Sequence, residues 1–203
     1  MKTRLLFIAI LFLQTTLFAQ SETDTKSFLS GKTSVYRSYG NGKSQSIDFS
    51  LKYPSDWKKQ EGERPHIAQK FLKTNGQTSI SYLVLINRID GPKLSQEEIS
   101  NELNNVETSV PNGGIFISNK KNFKIDGKNA TLLTYKMNRK TSVDNEVTMF
   151  VSVYSIIYRN YLIQIQCSVG GTTGSQDFAQ IFESYSVFFS LVANSFVLQS
   201  KWK

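Results

Sequence analysis

Apolar and polar side chains alternate with a period of two along much of the chain. Across residues 46–53, Ile47, Phe49, Leu51 and Tyr53 fall on one side, and Ser46, Asp48, Ser50 and Lys52 on the other. This is the signature of a strand buried on one face. The same patterning predicts strands over 66–73, 78–89, 115–123, 128–139, 146–158 and 161–169, with a short terminal strand at 196–198. The turns set the direction of pairing. Asp126-Gly127 and Arg159-Asn160 each leave only two residues between consecutive strands, too few for a parallel crossover, so the sheet is predicted to be large and mostly antiparallel. Tyr39-Gly40-Asn41-Gly42 predicts a tight hairpin pairing 35–39 with 46–53, because Asn-Gly accepts the positive φ of such a turn.

Two helices interrupt the strands, which makes the fold class α+β. Ser95 and Glu98 form a capping box, and Ile99, Leu103, Val106 and Val110 recur at helical spacing until Pro111-Asn112-Gly113-Gly114 ends the run. The second helix is predicted after Gly174, with Ser175 as N-cap, and it lays Phe178, Ile181, Phe182, Tyr185, Phe188 and Phe189 along one broad face. Rings in such a stripe pack against a sheet, since each buries about 150–250 Å².

The N-terminus follows a different pattern. Lys2 and Arg4 precede an apolar run from Leu5 to Leu13, and Gln14, Thr15 and Thr16 lead to a small residue at Ala19. Residues 1–19 read as a secretory signal peptide cleaved between Ala19 and Gln20. The apolar run falls short of the roughly 20 residues that a membrane-spanning helix needs. The sole cysteine, Cys167, lies far downstream, so no lipid-bearing N-terminal cysteine is expected and no transmembrane anchor is predicted. The expected address is exported, periplasmic or secreted. Residues 20–34 are Ser, Thr, Asp, Glu and Lys with only Phe28 and Leu29 as apolar anchors, and read as a flexible tail. Residues 35–203 show no further composition shift and read as one domain.

Charge and composition narrow the chemistry. The chain carries 24 Lys and Arg against 16 Asp and Glu; without Lys2 and Arg4 the balance is 22 to 16, a net +6. Basic residues are scattered rather than blocked, which describes a solvated surface. At an exported address nucleic acid is not an expected partner, while anionic headgroups, polysaccharide or an acidic protein face are compatible. One Cys and one His supply neither an intramolecular disulfide nor the nitrogen and sulfur ligands of a usual zinc site. Cys167 falls in register with Tyr161, Ile163, Ile165 and Val169, the position of a core thiol, and a dyad with His66 is the weaker reading. The run Gly170–Ser175 precedes a helix but lacks the lysine of a phosphate loop. Glu97, Glu98, Glu102 and Glu107 are solvated helix carboxylates, and Asn129-Ala130-Thr131 is only a formal glycosylation pattern.

Three segments carry a resemblance. Phe49-Ser50-Leu51-Lys52-Tyr53-Pro54-Ser55-Asp56-Trp57 resembles the opening strand and turn of the PsbP-like family (PsbP/DcrB-like domains). Asp126-Gly127-Lys128-Asn129-Ala130, running on to Tyr135, resembles its central hairpin. Phe189 to Phe196 resembles its closing helix and Ser-Phe edge strand. The resemblance implies an α/β/α sandwich around a central, mostly antiparallel sheet, used as a non-catalytic scaffold. A shared architecture does not carry a partner with it.

Together these readings predict a non-enzymatic exported binding module that acts on a protein or another envelope component, without cofactor, metal or catalytic residues. Trp57, Lys58, Lys59 and His66, in and beside one loop, are the predicted partner-binding residues. The alternative is a carrier of a small apolar ligand or lipid, held between helix and sheet. A hydrolase using His66 is a weaker alternative.

Overall fold

The computed structural model describes residues 20–140 and 145–199. The predicted signal peptide, residues 1–19, and residues 200–203 lie outside the described residues. The described strands are β1 (Thr33–Arg37), β2 (Phe49–Pro54), β3 (Lys58–Gln60), β4 (Ile67–Asn75), β5 (Thr78–Arg88), β6 (Gly114–Ile125), β7 (Lys128–Lys140), β8 (Glu146–Tyr158), β9 (Tyr161–Thr172) and β10 (Val197–Leu198). Seven of them form one sheet in the order β3-β4-β5-β9-β8-β7-β6, with every pair antiparallel. The other three form a small sheet, β1-β2-β10. Both predicted two-residue turns form, with Tyr158 opposite Tyr161 and Ile125 opposite Lys128. Positive φ falls on Arg159, Asp126 and Gly127, the conformation that tight hairpins require.

Register assigns the two faces of the large sheet. Ile80, Tyr82, Val84 and Ile86 of β5 stand opposite Val169, Cys167, Ile165 and Ile163 of β9, and all are buried. This front face is covered by α3 (Phe178–Ser184), α4 (Ser186–Asn194) and the small sheet, which together enclose the main core. On the other face α2 (Gln96–Asn104) touches β7 and β8, and Leu133, Tyr135, Met137, Val151 and Val153 form a second cluster with Val110. The α+β class expected from the pattern, and the sandwich that the resemblance implies, are therefore the ones observed.

Several local expectations are corrected. Residues 20–29, read from composition as part of a flexible tail, are helical (α1). Asp24 on this helix is 2% exposed and accepts hydrogen bonds from Lys73 Nζ at 2.7 Å and the Tyr185 hydroxyl at 3.0 Å. The Phe28 ring meets Phe188 edge-on at 5.9 Å. Tertiary partners override a polar composition here. β1 does pair with β2, but the connection is no tight Asn-Gly hairpin. Asn41 caps a short 3-10 turn, Gly42–Ser44, and positive φ falls on Gly40, Gln45 and Ser46.

The capping box forms as predicted, with Ser95 Oγ accepting from the Glu98 amide and the Glu98 carboxylate accepting from the Ser95 amide. The helix that it opens ends at Asn104 and continues as a 3-10 turn, Val106–Ser109. The second predicted helix is split at Tyr185, and Asp177 rather than Ser175 caps it. The Ser175 hydroxyl is already engaged as a donor to the Thr172 carbonyl at 2.7 Å. The edge strand β3 had no alternating signal because Lys58, Lys59 and Gln60 are all polar.

Candidate functional site

Successive residues of a strand point to opposite faces, so the residues between those of the core build the back face. β4, β5 and β9 contribute Lys70, Leu72, Ser81, Leu83, Gln166 and Ser168 there. Ser81 and Ser168 hydroxyls pair across the strands at 2.9 Å, so the face mixes hydroxyl, amide and aliphatic surface. Two adjoining grooves of about 310 and 510 Å³ run over it, sharing Lys70, Leu83, Met149 and Gln166. Arg64, His66, Lys70 and Arg139 line the first of them, with Glu63 as its one carboxylate, 3.5 Å from Lys70. The combined depression is basic at the rim and half apolar on its floor.

The four residues predicted from sequence are separated by the fold. Trp57 is buried, 5.3 Å from the Tyr82 ring and 5.2 Å from Phe188, so it belongs to the core and presents no surface to a partner. Its flanking turn puts Lys58 and Lys59 on β3, exposed at the sheet edge, with Lys58 in register with Leu72 of the back face. His66, half-buried just before β4, lines the groove. Its neighbours Arg64, Lys70 and Arg139 were not picked out from sequence. Arg139 lies on β7, across the sheet, and only strand order brings it to the same depression.

Cys167 and His66 do not meet. Cys167 points into the front core between Tyr82 and Ser152, its two register partners, and is fully buried, which pushes its thiol well above the usual range. His66 lies on the groove side of the sheet. Because the thiolate is the reactive species, Cys167 in the native chain is expected to react with a disulfide reagent orders of magnitude more slowly than after unfolding in urea. Equal rates in a stopped-flow comparison would overturn that placement.

A second concavity opens on the front. About 570 Å³ lies between β6–β8 and the α3–α4 pair, with Phe123, Leu132, Phe150 and Phe182 among its walls. Ser152 and Thr134 on its sheet side are buried, their hydroxyls 3.4 Å apart. Among the described residues, no group of three or more His, Cys, Asp or Glu side chains is placed to hold a metal ion, and no helix is long and apolar enough to cross a membrane.

Comparison with solved structures finds distant likenesses, among them the following three. LpqN of Mycobacterium tuberculosis, involved in cell envelope biogenesis, is 11% identical, with a TM-score of 0.47 over 82% of this chain and 91% of that one. The Ran-binding protein Mog1p of Saccharomyces cerevisiae is 9% identical, with a TM-score of 0.45 over 82% and 95% of the two chains. A protein of Bacteroides thetaiotaomicron is 16% identical, with a TM-score of 0.37 over 76% of this chain and 46% of that one. No curated protein matches the sequence. The family model described as PsbP-like protein does match, over residues 8–187, which include the strand-turn at Trp57 and the Asp126-Gly127 hairpin. The chain belongs to the PsbP-like family.

Proposed function

We propose that the protein is an exported, non-catalytic binding module, released by cleavage after Ala19, whose back face receives an acidic protein segment of the envelope or of the secreted medium. The observation that carries the reading is the continuous groove across β4, β5, β9 and β8, floored by Leu83 and Met149 and rimmed by Arg64, Lys70 and Arg139. Lys58, in register with Leu72, extends the positive rim to the sheet edge. Half-buried aliphatic surface supplies association free energy, and the basic rim steers an acidic partner and fixes its register. Membership in a family of binding scaffolds and the burial of Cys167 favour binding over turnover.

A photo-reactive amino acid at Leu83 tests this in the native host, against the same probe at Val187, which is exposed on the opposite side of the molecule. The expected result is one discrete cross-linked protein at Leu83, weakened by salt and lost with Arg64→Glu and Lys70→Glu together. Cross-linking that is equal at the two positions, or indifferent to the charge reversals, would sink the proposal.

A further inference from the structure

The front cleft has a different character from the back face and follows from helix composition. Where α3 and α4 lie over β5 and β9 they bury large side chains such as Ile181 and Phe189. Toward β6–β8 they present Ala179, Ser186, Ser190 and Ala193, which are too small to reach the sheet. The result is a space of about 570 Å³, well inside the range of about 300–1,000 Å³ for small-molecule sites. Its walls are largely apolar and aromatic, with the Phe150 and Phe182 rings 5.8 Å apart and Phe123 edge-on to Tyr154 at 6.4 Å.

Two polar features of the cleft lack a hydrogen-bond or ion-pair partner among the described residues. Tyr154 is 7% exposed and lines the cleft, yet its hydroxyl makes no hydrogen bond to any described residue. Burial raises its pKa above the ordinary phenol value, so the group stays a neutral O–H donor. The hydroxyl opens onto the cleft and is not sealed from water, so a ligand oxygen there takes the place of solvent as its acceptor. The second feature is charge. A register shift in β6 between Lys120 and Phe123, with Asn122 at positive φ, brings both Lys120 and Phe123 to the cleft side, opposite Leu132 and Ala130. Lys120 lies 5.9 Å from the Phe123 ring, and neither it nor Lys124 forms an ion pair among the described residues. The carboxylate of the cleft, Glu183, belongs to the helix wall next to Phe182, whereas both lysines belong to the strand wall around Phe123. A negative head is therefore received on the strand side.

We infer that the cleft binds a single-chain anionic amphiphile, a carboxylate-headed molecule whose apolar chain lies along the wall formed by Phe150, Phe182 and Leu132. Its head meets Lys120 and Lys124 and accepts a hydrogen bond from Tyr154. This site is separate from the back face and does not depend on what binds there.

Titration calorimetry of the full-length chain with decanoate, decanol and decyltrimethylammonium, each below its micelle concentration, tests the inference. Decanoate is expected to bind with one-to-one stoichiometry, tighter than the other two. Lys120→Gln with Lys124→Gln should weaken decanoate about tenfold, two partly exposed charge contacts being worth about 1.4 kcal/mol together, and leave decanol unchanged. Ser152→Phe, which fills the floor, should abolish binding of all three. If that variant does not fold, amide shifts on adding decanoate locate the site instead, expected around Phe150 and Tyr154 and absent around Leu83. Equal affinity for the three probes, indifference to the lysine changes, no binding at all, or shifts confined to the back face would each overturn the inference.

Discussion

Replacing Asp24 by alanine is expected to destabilise the chain by about 3 kcal/mol, the lower end of the cost of breaking a buried ion pair. The carboxylate is almost wholly buried, with one oxygen accepting from Lys73 and the other from the Tyr185 hydroxyl, and Gln20 Nε2 adds a contact at 3.3 Å. Without it, Lys73 keeps only the exposed Asp56 carboxylate, 2.7 Å away, so its charge is half compensated rather than abandoned. Tyr185 would be left with a buried, unpaired hydroxyl. Tyr185→Phe alone removes one hydrogen bond to a charged group, worth about 1.5–3 kcal/mol. The two substitutions share that bond and should add to less than their sum in a double-mutant cycle read by urea unfolding. Strict additivity would mean that the contact contributes nothing.

The same cluster gives the stability a dependence on alkaline pH. Burial works to lower the pKa of Lys73, but its hydrogen bonds and charge contacts with Asp24 and Asp56 outweigh it, and the net shift is upward. Tyr185 is also raised, first by burial and then by Asp24. In both cases the folded state holds its proton more tightly than the unfolded one. Their contribution is therefore complete below the unfolded values, about 10 for Tyr and 10.4 for Lys, and is lost as pH rises through the folded values. Asp24→Ala should flatten that alkaline decline as well as lower stability near neutrality.

Alternation made the long strands legible. β6, β7, β8 and β9 each run 12 or 13 residues, with two-residue turns between β6 and β7 and between β8 and β9, and in those two pairs local chemistry alone settles the pairing. The capping box at Ser95 was legible for the same reason, since donor and acceptor lie three residues apart. What escaped depends on partners distant in sequence. α1 looks disordered until Lys73 and Tyr185, 49 and 161 residues away from Asp24, are brought beside it. Sequence proximity groups Trp57 with Lys58 and Lys59 in one partner-binding loop, yet the indole packs against Tyr82 and Phe188 in the core while both lysines are exposed on the edge strand. Neither concavity was visible as a motif. The back groove collects rim residues from strands on both sides of the sheet, and the front cleft is made by what α3 and α4 lack.

The small sheet and the large sheet are joined by a column of rings, and its centre is where the largest single loss is expected. Tyr82 is fully buried, stacked on Phe71 at 4.7 Å and tilted against Trp57 at 5.3 Å. Phe71 in turn meets Tyr53 of β2 at 4.7 Å and Tyr36 of β1 at 5.9 Å, and Phe49 stacks on Phe196 at 5.1 Å. Tyr82→Ala should cost about 4 kcal/mol, within the range for emptying a buried aromatic site, because rings held on two sheets cannot collapse into the void together. Tyr82→Phe should cost about 1 kcal/mol or less, since the hydroxyl makes only a long bond, 3.4 Å, to the Lys52 carbonyl. The contrast tests the joint itself: it is ring packing that couples the sheets, so denaturant unfolding of Tyr82→Phe should remain a single transition with an unchanged slope. A loss in Tyr82→Phe as large as in Tyr82→Ala would place the coupling in the hydroxyl and refute the column as the element that holds β1, β2 and β10 against β4 and β5.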